Sequence, residues 1–324
     1  MPPITLAAGV VAFNERHRLG TAVRSLTAQE LPPGVAWGEF QVIVSGSTDG
    51  SDRVAAALAE SDPRIRPVIE GRRNGKSAAI AEVFRRSRGD YLVLLNGDAE
   101  AAPGAVAALL REAPGVDRRF AVMGRPVPHP SGDDGFSPAA ELLWAIHNSF
   151  HASVLASREG NHLSDELLLL PIRQLPPMTG GIVNDGSFVG GWLTQHGGTL
   201  HYAPEAVVRI SAPRSLREHV RQRRRIRYGH RQIRDQMALD PLTIERYARR
   251  HPVPTVRLIA EETRRRGGAP ALAKLLSAEA LAFALSAVDA RSSRVDHVRW
   301  TPIVGSDPAP SAETGRSALS AEGA

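Results

Sequence analysis

The chain has 324 residues, of which 42% are hydrophobic and 23% charged, enough for one large or two modest globular domains. It has no cysteine, which excludes disulfides, thiolate metal sites and a cysteine nucleophile. A net charge of +6 favours anionic partners, but nucleotides, phospholipid head groups and nucleic acids all qualify.

The N-terminus has no basic region ahead of an apolar run, and no uninterrupted apolar stretch approaches the roughly 20 residues that span a bilayer. We therefore expect a cytoplasmic protein without a visible export signal or an integral membrane segment.

Apolar and amphipathic segments alternate along the first third of the chain. The spacing of the apolar residues predicts strands at 6–13, 40–44, 65–69 and 91–95, and helices at 18–29, 51–60 and 77–87. Short apolar strands separated by helices favour a parallel sheet covered on both faces, with ligands at the carboxyl ends of the strands.

The later pattern is less regular. The proline-containing stretch 114–135 predicts a loop between two halves. After it we expect a helix at 138–157, a strand at 163–171, a capped helix at 184–195, a strand at 199–202, a basic helix at 216–237 and one or two helices at 269–290. The Ser/Ala/Pro/Gly-rich end, from about residue 306, predicts disorder.

Asn96-Gly97-Asp98 directly follows the predicted strand 91–95. Asp98 would sit at the carboxyl end of this strand, where hard oxygen ligands hold Mg²⁺ or Mn²⁺. A single Asn-Gly-Asp is more often an ordinary turn, so this motif alone does not establish a metal site.

Three further motifs precede it along the same sheet. Asn14-Glu15 ends the first predicted strand, the segment 46–50 (Gly-Ser-Thr-Asp-Gly) ends the second, and Gly75-Lys76 opens a helix before the fourth. In this order and spacing, up to residue 111, the four motifs resemble those of the inverting family-2 glycosyltransferases of the GT-A fold.

The resemblance implies an α/β protein of GT-A type, with a Rossmann-like, mostly parallel central sheet flanked by helices and a helical C-terminal extension. It divides the chain into a nucleotide-sugar half at 1–111, an acceptor-binding half of the same domain at 112–212, a basic helical region at 213–300 and a disordered tail at 301–324.

The resemblance also implies roles for the motif residues. Nucleotide-sugar binding would fall to Asn14, Glu15, Asp49, Lys76, Asn96 and Asp98, with Asp98 holding Mg²⁺ or Mn²⁺ on the diphosphate. Each motif has an ordinary alternative: a helix start at Asn14-Glu15, a capped turn at Thr48-Asp49, and a loop with a solvated lysine at Gly75-Lys76. Together with an ordinary turn at Asn96-Gly97-Asp98, these alternatives would require four coincidences.

The second half matches more loosely. The segment 197–206 resembles the family's glycine, strand and Tyr-x-Pro-Glu-Ala turn, and upstream of it relatives carry an acidic pair that includes the general base. The only carboxylate available here is Asp185, in Asn184-Asp185-Gly186. It is either that base or a helix cap, and spacing counted from Gly197 places Gly186 at the base position.

The basic helix contains a segment, 221–226, that resembles the family's Gln-x-x-Arg-Trp signature, with Ile226 in place of tryptophan. This implies Arg225 on the diphosphate and Gln222 on the acceptor. Nine arginines between residues 214 and 234, against the single acid Glu218, could also rest against an anionic membrane.

Three departures from the family remove acids. Val44 and Ser45 stand where relatives often carry two aspartates, Asn96 replaces the first acid of Asp-x-Asp, and Gly186 replaces one member of the acidic pair. The first departure leaves the nucleobase open, and the last leaves a weak or inactive relative as an alternative.

His147 and His151 are four residues apart on a predicted helix and share one face, a spacing that can bind a metal. Nothing in the sequence identifies a third ligand, and the neighbouring Trp144 and Phe150 favour ordinary packing.

The sequence thus favours a metal-dependent transferase that moves a sugar with inversion from a nucleotide donor to an unidentified acceptor, with lipid-linked and polysaccharide acceptors both open. The basic helix suggests peripheral contact at the inner membrane face. The alternatives are a nucleotidyltransferase of similar fold, a catalytically silent family member, and a nucleic-acid binding protein that uses the arginine-rich helix, although no nucleic acid is expected.

Overall fold

The computed structural model describes residues 3–129, 136–238 and 240–289. Its strands are β1 (Ile4–Ala12), β2 (Val35–Ser45), β3 (Ile65–Glu70), β4 (Tyr91–Asn96), β5 (Glu100–Ala101), β6 (Phe120–Pro128), β7 (Leu167–Pro171) and β8 (Thr199–Ile210). Its helices are α1 (Leu19–Thr27), α2 (Ser51–Ser61), α3 (Lys76–Arg86), α4 (Ala105–Arg111), α5 (Ser137–Ala156), α6 (Asp185–Gln195), α7 (Leu216–Met237), α8 (Ile244–Arg250), α9 (Pro252–Arg265) and α10 (Gly268–Asp289).

All of these strands form one sheet in the order β3-β2-β1-β4-β7-β6-β8-β5. The first four are parallel, β7 runs antiparallel to both β4 and β6, and β6 and β8 are again parallel. The α/β fold with a helical C-terminal region is confirmed, and the second half makes the sheet mixed.

Two apolar layers cover the sheet. Along β4, Tyr91, Val93 and Leu95 pack into one layer, whereas Leu92 and Leu94 pack into the other. Because alternate side chains of a strand point to opposite faces, a continuous apolar run marks a strand that is buried on both sides. The apolar run at 91–95 therefore correctly predicted a strand that is buried on both faces.

The expectation of a loop over 114–135 was wrong for residues 120–128, which form β6. β6 pairs with β7 only at Val122 and Met123, and past that point only β8 lies beside it. Pro126 and Pro128 lie in this half-paired part, where a residue without an amide hydrogen is tolerated. Residues 130–135 lie outside the described residues.

The C-terminal region packs as helices, and α7 has the predicted bounds. The predicted helical segment at 269–290 is the single helix α10, which packs against α5, α7 and α9. Within the described residues, α10 is one helix long and apolar enough to cross a membrane by length and composition. Lys274 and Glu279 interrupt its apolar sequence. Residues 290–324, including the predicted tail, lie outside the described part.

Candidate active site

Three sequence motifs meet at the carboxyl edge of the parallel strands. β1, β2 and β4 end there at Ala12, Ser45 and Asn96. The Gly97 amide donates to the Val11 carbonyl at 2.9 Å, and a Cβ on Gly97 would lie 2.7 Å from that oxygen. Glycine therefore lets the Asn-Gly-Asp turn fold over the end of β1.

Side chains of two motifs join the loops after β1 and β2. The Asn14 amide donates to Ser47 Oγ at 2.9 Å, and Asn14 Oδ1 accepts from the Thr48 amide at 2.8 Å. Asp49 Oδ2 accepts from the Arg16 amide at 2.9 Å. Asn14 has a φ of 55°, a left-handed conformation that asparagine adopts more readily than most residues. The structure thus places Asn14 and Asp49 as a bridge between two loops.

Asp49 also caps the start of α2. Its Oδ1 accepts from the Ser51 amide at 3.0 Å and from the Ser51 hydroxyl at 2.6 Å. Burial opposes ionisation, but the hydrogen bonds from Ser51 and the Arg16 amide outweigh it, so the pKa of Asp49 is lowered. The negative charge of Asp49 is therefore stabilised by hydrogen bonds from neighbouring residues of the protein.

Glu70, at the end of β3, supplies a carboxylate beside Ser45, where relatives often carry an acid. The Ser45 hydroxyl donates to Glu70 Oε2 at 2.5 Å. The next residue, Gly46, has a φ of 63°, and a Cβ there would lie 2.2 Å from the Arg73 backbone nitrogen. The Arg73 guanidinium in turn stands 3.7 Å from the centre of the Phe13 ring. An acid, an aromatic ring and a guanidinium thus surround the end of β2.

Glu15 and Asp98 bring two acids together at the same edge. Burial, and then the negative charge of Asp98, raise the pKa of Glu15 to about 8, although Arg18 lies 3.8 Å away. Asn96 Oδ1 is buried nearby in the chain and has no hydrogen-bond partner. These oxygens are hard donors, and the pKa of Glu15 stays raised despite Arg18, so the donor set fits a divalent cation.

The protein oxygens would be only part of the coordination sphere. Across 3–129, 136–238 and 240–289, no three His, Asp or Glu side chains are arranged to hold a metal ion. Magnesium is usually bound through one or two carboxylates, with substrate phosphates and water completing its sphere. The arrangement fits an ion that arrives with a diphosphate better than a permanent structural metal.

A second polar cluster is centred on Lys76, the first residue of α3. Its ammonium group contacts the carboxylate of Asp165 directly and lies 3.4 Å from Asp185 Oδ2. Arg225 lies close enough to influence both carboxylates electrostatically. Lys76, expected near the nucleotide, is therefore ion-paired to the proposed base of the acceptor half.

Asp185 has the properties of a tuned base. It is 3% exposed, and its Oδ1 is buried without a hydrogen-bond partner. Burial raises the pKa of Asp185 to about 6; Lys76 and Arg225 lower it, and Asp165 adds to the increase. A carboxylate with a pKa near neutrality and one unengaged oxygen can accept a proton.

The sequence analysis missed Asp165 and Glu166. Asp165 binds Lys76, and its charge, added to burial, raises the pKa of Glu166 to about 7. The available signal was an acidic pair directly before a leucine-rich strand. β7 runs antiparallel to β4, so its first residues lie at the edge where the parallel strands end.

Close backbone packing positions Asp185 at the start of α6. Asn184 caps this helix, accepting from the Ser187 amide at 3.0 Å, as the sequence predicted. A Cβ on Gly186 would lie 2.2 Å from the Leu163 carbonyl oxygen. Glycine at this position thus reflects packing, and Asp185 is the residue whose carboxylate faces Lys76.

The basic helix α7 enters the cluster through a second glycine contact. A Cβ on Gly229 would lie 2.6 Å from the Asn184 Cβ, so α7 lies directly against the start of α6. Arg225, one turn earlier, is thereby brought to the two acids, and burial, partly offset by Asp185 and Asp165, lowers its pKa. Gln222 is half-buried on the same helix.

Other arginines of α7 form ion pairs with acids of the C-terminal helices. Arg223 lies 2.7 Å from Glu279, Arg227 lies 3.0 Å from both Glu279 and Glu245, and Arg224 pairs with Asp289 at 2.5 Å. Much of the charge that suggested a membrane-facing or nucleic-acid-facing helix is thus neutralised within the protein.

His147 and His151 lie in a column of four histidines, of which His151 and His162 are buried and His147 and His230 half-buried. Ring centres are 4.3 Å apart from His147 to His151, 4.9 Å from His151 to His162 and 5.6 Å from His162 to His230. Both nitrogens of His151 are buried without partners. Burial is the main cause that lowers all four pKa values, to about 3 for His147 and about 4 for His162. The column is therefore a neutral part of the interior.

Comparison with known families agrees with the motifs. Residues 8–156 match the family model described as "Glycosyl transferase family 2". Over this segment the resemblance to family-2 glycosyltransferases predicted from the motifs is confirmed.

Curated relatives match a similar part of the chain. An undecaprenyl-phosphate 4-deoxy-4-formamido-L-arabinose transferase of Pseudomonas aeruginosa is 35% identical over 118 residues, 36% of this chain and 34% of the relative. A dolichol-phosphate mannosyltransferase of Mycosarcoma maydis is 30% identical over 93 residues, 29% of this chain and 30% of the relative. The matched region thus spans about a third of the length of these relatives.

A solved structure matches more of the chain. The mannosyltransferase PcManGT of Pyrobaculum calidifontis, determined in complex with GDP-Man and Mn²⁺, covers 90% of this chain and 88% of its own length with a TM-score of 0.60. At 17% identity, this match establishes the fold. The GT-A architecture predicted from the motifs is confirmed.

Proposed function

We propose that the protein transfers a sugar, with inversion, from a nucleoside diphosphate sugar to the phosphate of a lipid-linked acceptor. The observation that carries this proposal is the family-2 segment at 8–156, whose motifs converge on one sheet edge with Glu15 and Asp98 side by side. The lipid-phosphate acceptor is suggested by the names of the relatives, which act on undecaprenyl phosphate or dolichol phosphate.

The donor would bind at the ends of β1, β2 and β4. Asp98, with Glu15 and Asn96 beside it, would hold Mg²⁺ or Mn²⁺. When bound, such an ion neutralises charge on the departing diphosphate. Glu70, Phe13 and Arg73 would contact the nucleobase and ribose, because they surround the end of β2.

The acceptor oxygen would meet the cluster around Lys76. Lys76 and Arg225 would attract the acceptor phosphate, and Asp185 would take the proton of its monoanion. The second pKa of a phosphate monoester is about 6, so it matches that of Asp185. The phosphate oxygen then forms a bond to the anomeric carbon, while the bond from that carbon to the nucleoside diphosphate breaks on the opposite side.

Donor binding tests the first half of the proposal. Titration calorimetry with UDP-, GDP-, ADP- and dTDP-sugars, with and without Mn²⁺, should reveal one nucleotide class that binds in a Mn²⁺-dependent manner. In Asp98→Ala that dependence should be lost, with affinity reduced by about tenfold or more because a direct ligand is removed. The exposed Asp117→Ala variant is the control. Unchanged Mn²⁺-dependent binding by Asp98→Ala would sink the donor-site assignment.

An assay of sugar transfer tests the second half of the proposal, which is the lipid-phosphate acceptor. With the donor identified, radiolabel should pass to undecaprenyl phosphate in detergent and remain on the donor when undecanol replaces the lipid phosphate. Equal transfer to the alcohol would contradict a phosphate acceptor.

A further inference from the structure

Helix α10 is mostly apolar, but the protein covers only one side of it. The covered stripe recurs every three or four residues and packs against α5 and α7; it comprises Ala271, Leu275, Ala278, Ala282, Ser286 and Asp289. Only 28% of the most apolar 18-residue window is buried. A helix that is hydrophobic all round is normally enclosed by protein or lipid, so the uncovered side requires an explanation.

The uncovered side forms a mostly apolar face, interrupted by Lys274 and Ser277. Leu276 is 57% exposed and Phe283 62% exposed, and with them on this side lie Ala273, Ala280, Leu281, Ala284 and Val288. The face extends over 16 residues, which is about 24 Å at the α-helical rise. Lys274 is the exposed charged residue on α10. We name this surface the α10 face.

Basic side chains lie around the α10 face. Arg264, Arg265 and Arg266 are exposed directly before α10, although Arg265 and Arg266 also lie near Glu261 or Glu262, and Lys274 follows in the second turn of α10. The Arg227 guanidinium, which also pairs with Glu245 and Glu279, stands 5.3 Å from the centre of the Phe283 ring. Beyond α10 the sequence continues with Arg291 and Arg294. Arginine and lysine beside apolar side chains are typical of helices that lie at a lipid interface.

This charge distribution distinguishes between two occupants of the face. In a two-fold pair of chains with α10 helices side by side and parallel, the basic N-terminal end of each helix would approach that of the partner. An anionic lipid surface instead offers opposite charge to the basic groups and an acyl boundary to the apolar face.

We propose that α10 docks the protein on an anionic membrane, lying in the bilayer plane with the α10 face at the boundary between head groups and acyl chains. The covered stripe stays attached to the protein, so α10 lies on the membrane and does not cross it. The proposal deepens the proposed function and rests on it, because a lipid-linked acceptor is presented at a bilayer. It also moves the membrane contact from the arginines of α7, which are largely ion-paired, to the neighbouring helix.

The position of α10 relates docking to the candidate active site. α10 packs along α7, and α7 carries Arg225 to Asp185. A docked α10 would hold the acceptor half of the site next to the lipid surface, so a lipid phosphate could reach Lys76 and Arg225 without leaving the membrane entirely.

Vesicle sedimentation of the full-length protein tests the proposal. We expect binding to vesicles of phosphatidylcholine with phosphatidylglycerol, weaker binding to phosphatidylcholine alone, and partial release by high salt. Leu276→Glu/Phe283→Glu should weaken binding by at least about tenfold, because two large apolar side chains leave the lipid. Phe283→Glu alone should have a smaller effect in the same direction. Ile69→Glu, at a 51% exposed position on β3, is the matched control and should bind like the wild type.

Two further measurements make the result decisive. Circular dichroism and nucleotide-sugar calorimetry show whether the variants remain folded with an intact donor site. Wild-type-like vesicle binding by the double variant, or no vesicle binding by the wild type, would overturn the proposal, as would a wild-type dimer in light scattering that the double variant abolishes. Docking without transfer to undecaprenyl phosphate would refute the proposed acceptor and leave the docking surface standing, so the two failures are distinguishable.

Discussion

The donor side and the acceptor side of the candidate active site are built differently. The donor side gathers residues from the ends of neighbouring parallel strands, and hydrogen bonds from backbone amides to side chains hold its loops together. The acceptor side assembles Lys76, Asp165, Asp185 and Arg225 from four separate segments. Strand order alone brings the first group together, whereas the second depends on helix packing.

This difference explains where the similarity to known families is found. The matched segment, 8–156, contains the donor motifs and ends before Asp165. A site defined by strand ends has a short motif at each end, and these motifs can be read from the sequence. A site that depends on packing leaves a weaker signal in the sequence. That signal consists of single residues at close approaches, such as Gly186 and Gly229.

The largest expected effect is on the rate of sugar transfer, with donor binding unchanged. Asp185→Asn should lower kcat for transfer to undecaprenyl phosphate by about 100-fold or more at pH 6, because the group that takes the proton is lost. The loss should shrink at pH 8, where the acceptor phosphate is already a dianion. Donor affinity, measured by calorimetry, should stay the same, and Asp117→Asn is the control. An equal loss at both pH values would indicate a hydroxyl nucleophile.

A pair of glycine variants contrasts the two sides directly. Gly186→Ala places a methyl group against the Leu163 carbonyl, which should destabilise the protein by about 1–3 kcal/mol and lower kcat by displacing Asp185. Gly46→Ala meets the Arg73 backbone at a φ of 63° and should instead weaken donor affinity. Denaturant unfolding, calorimetry and transfer rates measure all three quantities. Identical profiles for the two variants would show that the two sides are not separate units.

A smaller effect concerns the pH dependence of transfer. Asp185 must be ionised to act, so kcat/KM should rise with pH through about 6. The ammonium group of Lys76 favours the ionised form, so Lys76→Met should move this rise to higher pH by about one unit. An unshifted pH profile in this variant would remove Lys76 as the group that tunes the base.

The smallest expected effect lies in the histidine column. Burial holds the folded-state pKa values of these histidines below the ordinary value of 6.5, so between that value and the folded-state pKa the unfolded chain binds more protons than the folded chain. The free energy of unfolding should therefore fall as the pH drops below about 6.5. His151→Phe should reduce this slope by about 1.4 kcal/mol per pH unit between pH 6 and 5. Urea unfolding measures it, with the exposed His17→Phe as control, and an unchanged slope would show that His151 is not buried as a neutral ring.

The sequence predicted most elements whose signals are local. α6 begins after its Asn184 cap, and α7 has the predicted bounds, because capping and helical periodicity are properties of short segments. β6 was not predicted because Pro126 and Pro128 favour a loop. They are tolerated in this strand because β7 pairs with β6 only at Val122 and Met123, which the sequence does not reveal. Asp165 escaped because its partner Lys76 is 89 residues away.

The first turn of α3 connects the donor side of the site to the acceptor side. Lys76 binds the acids of the acceptor side, and Ser77 Oγ accepts from the Ile182 amide at 3.1 Å, although both residues follow a donor-side motif. A nucleotide that shifts this turn would also shift the loop that leads to Asp185. The two substrates should therefore bind cooperatively, each changing the affinity for the other by the same factor.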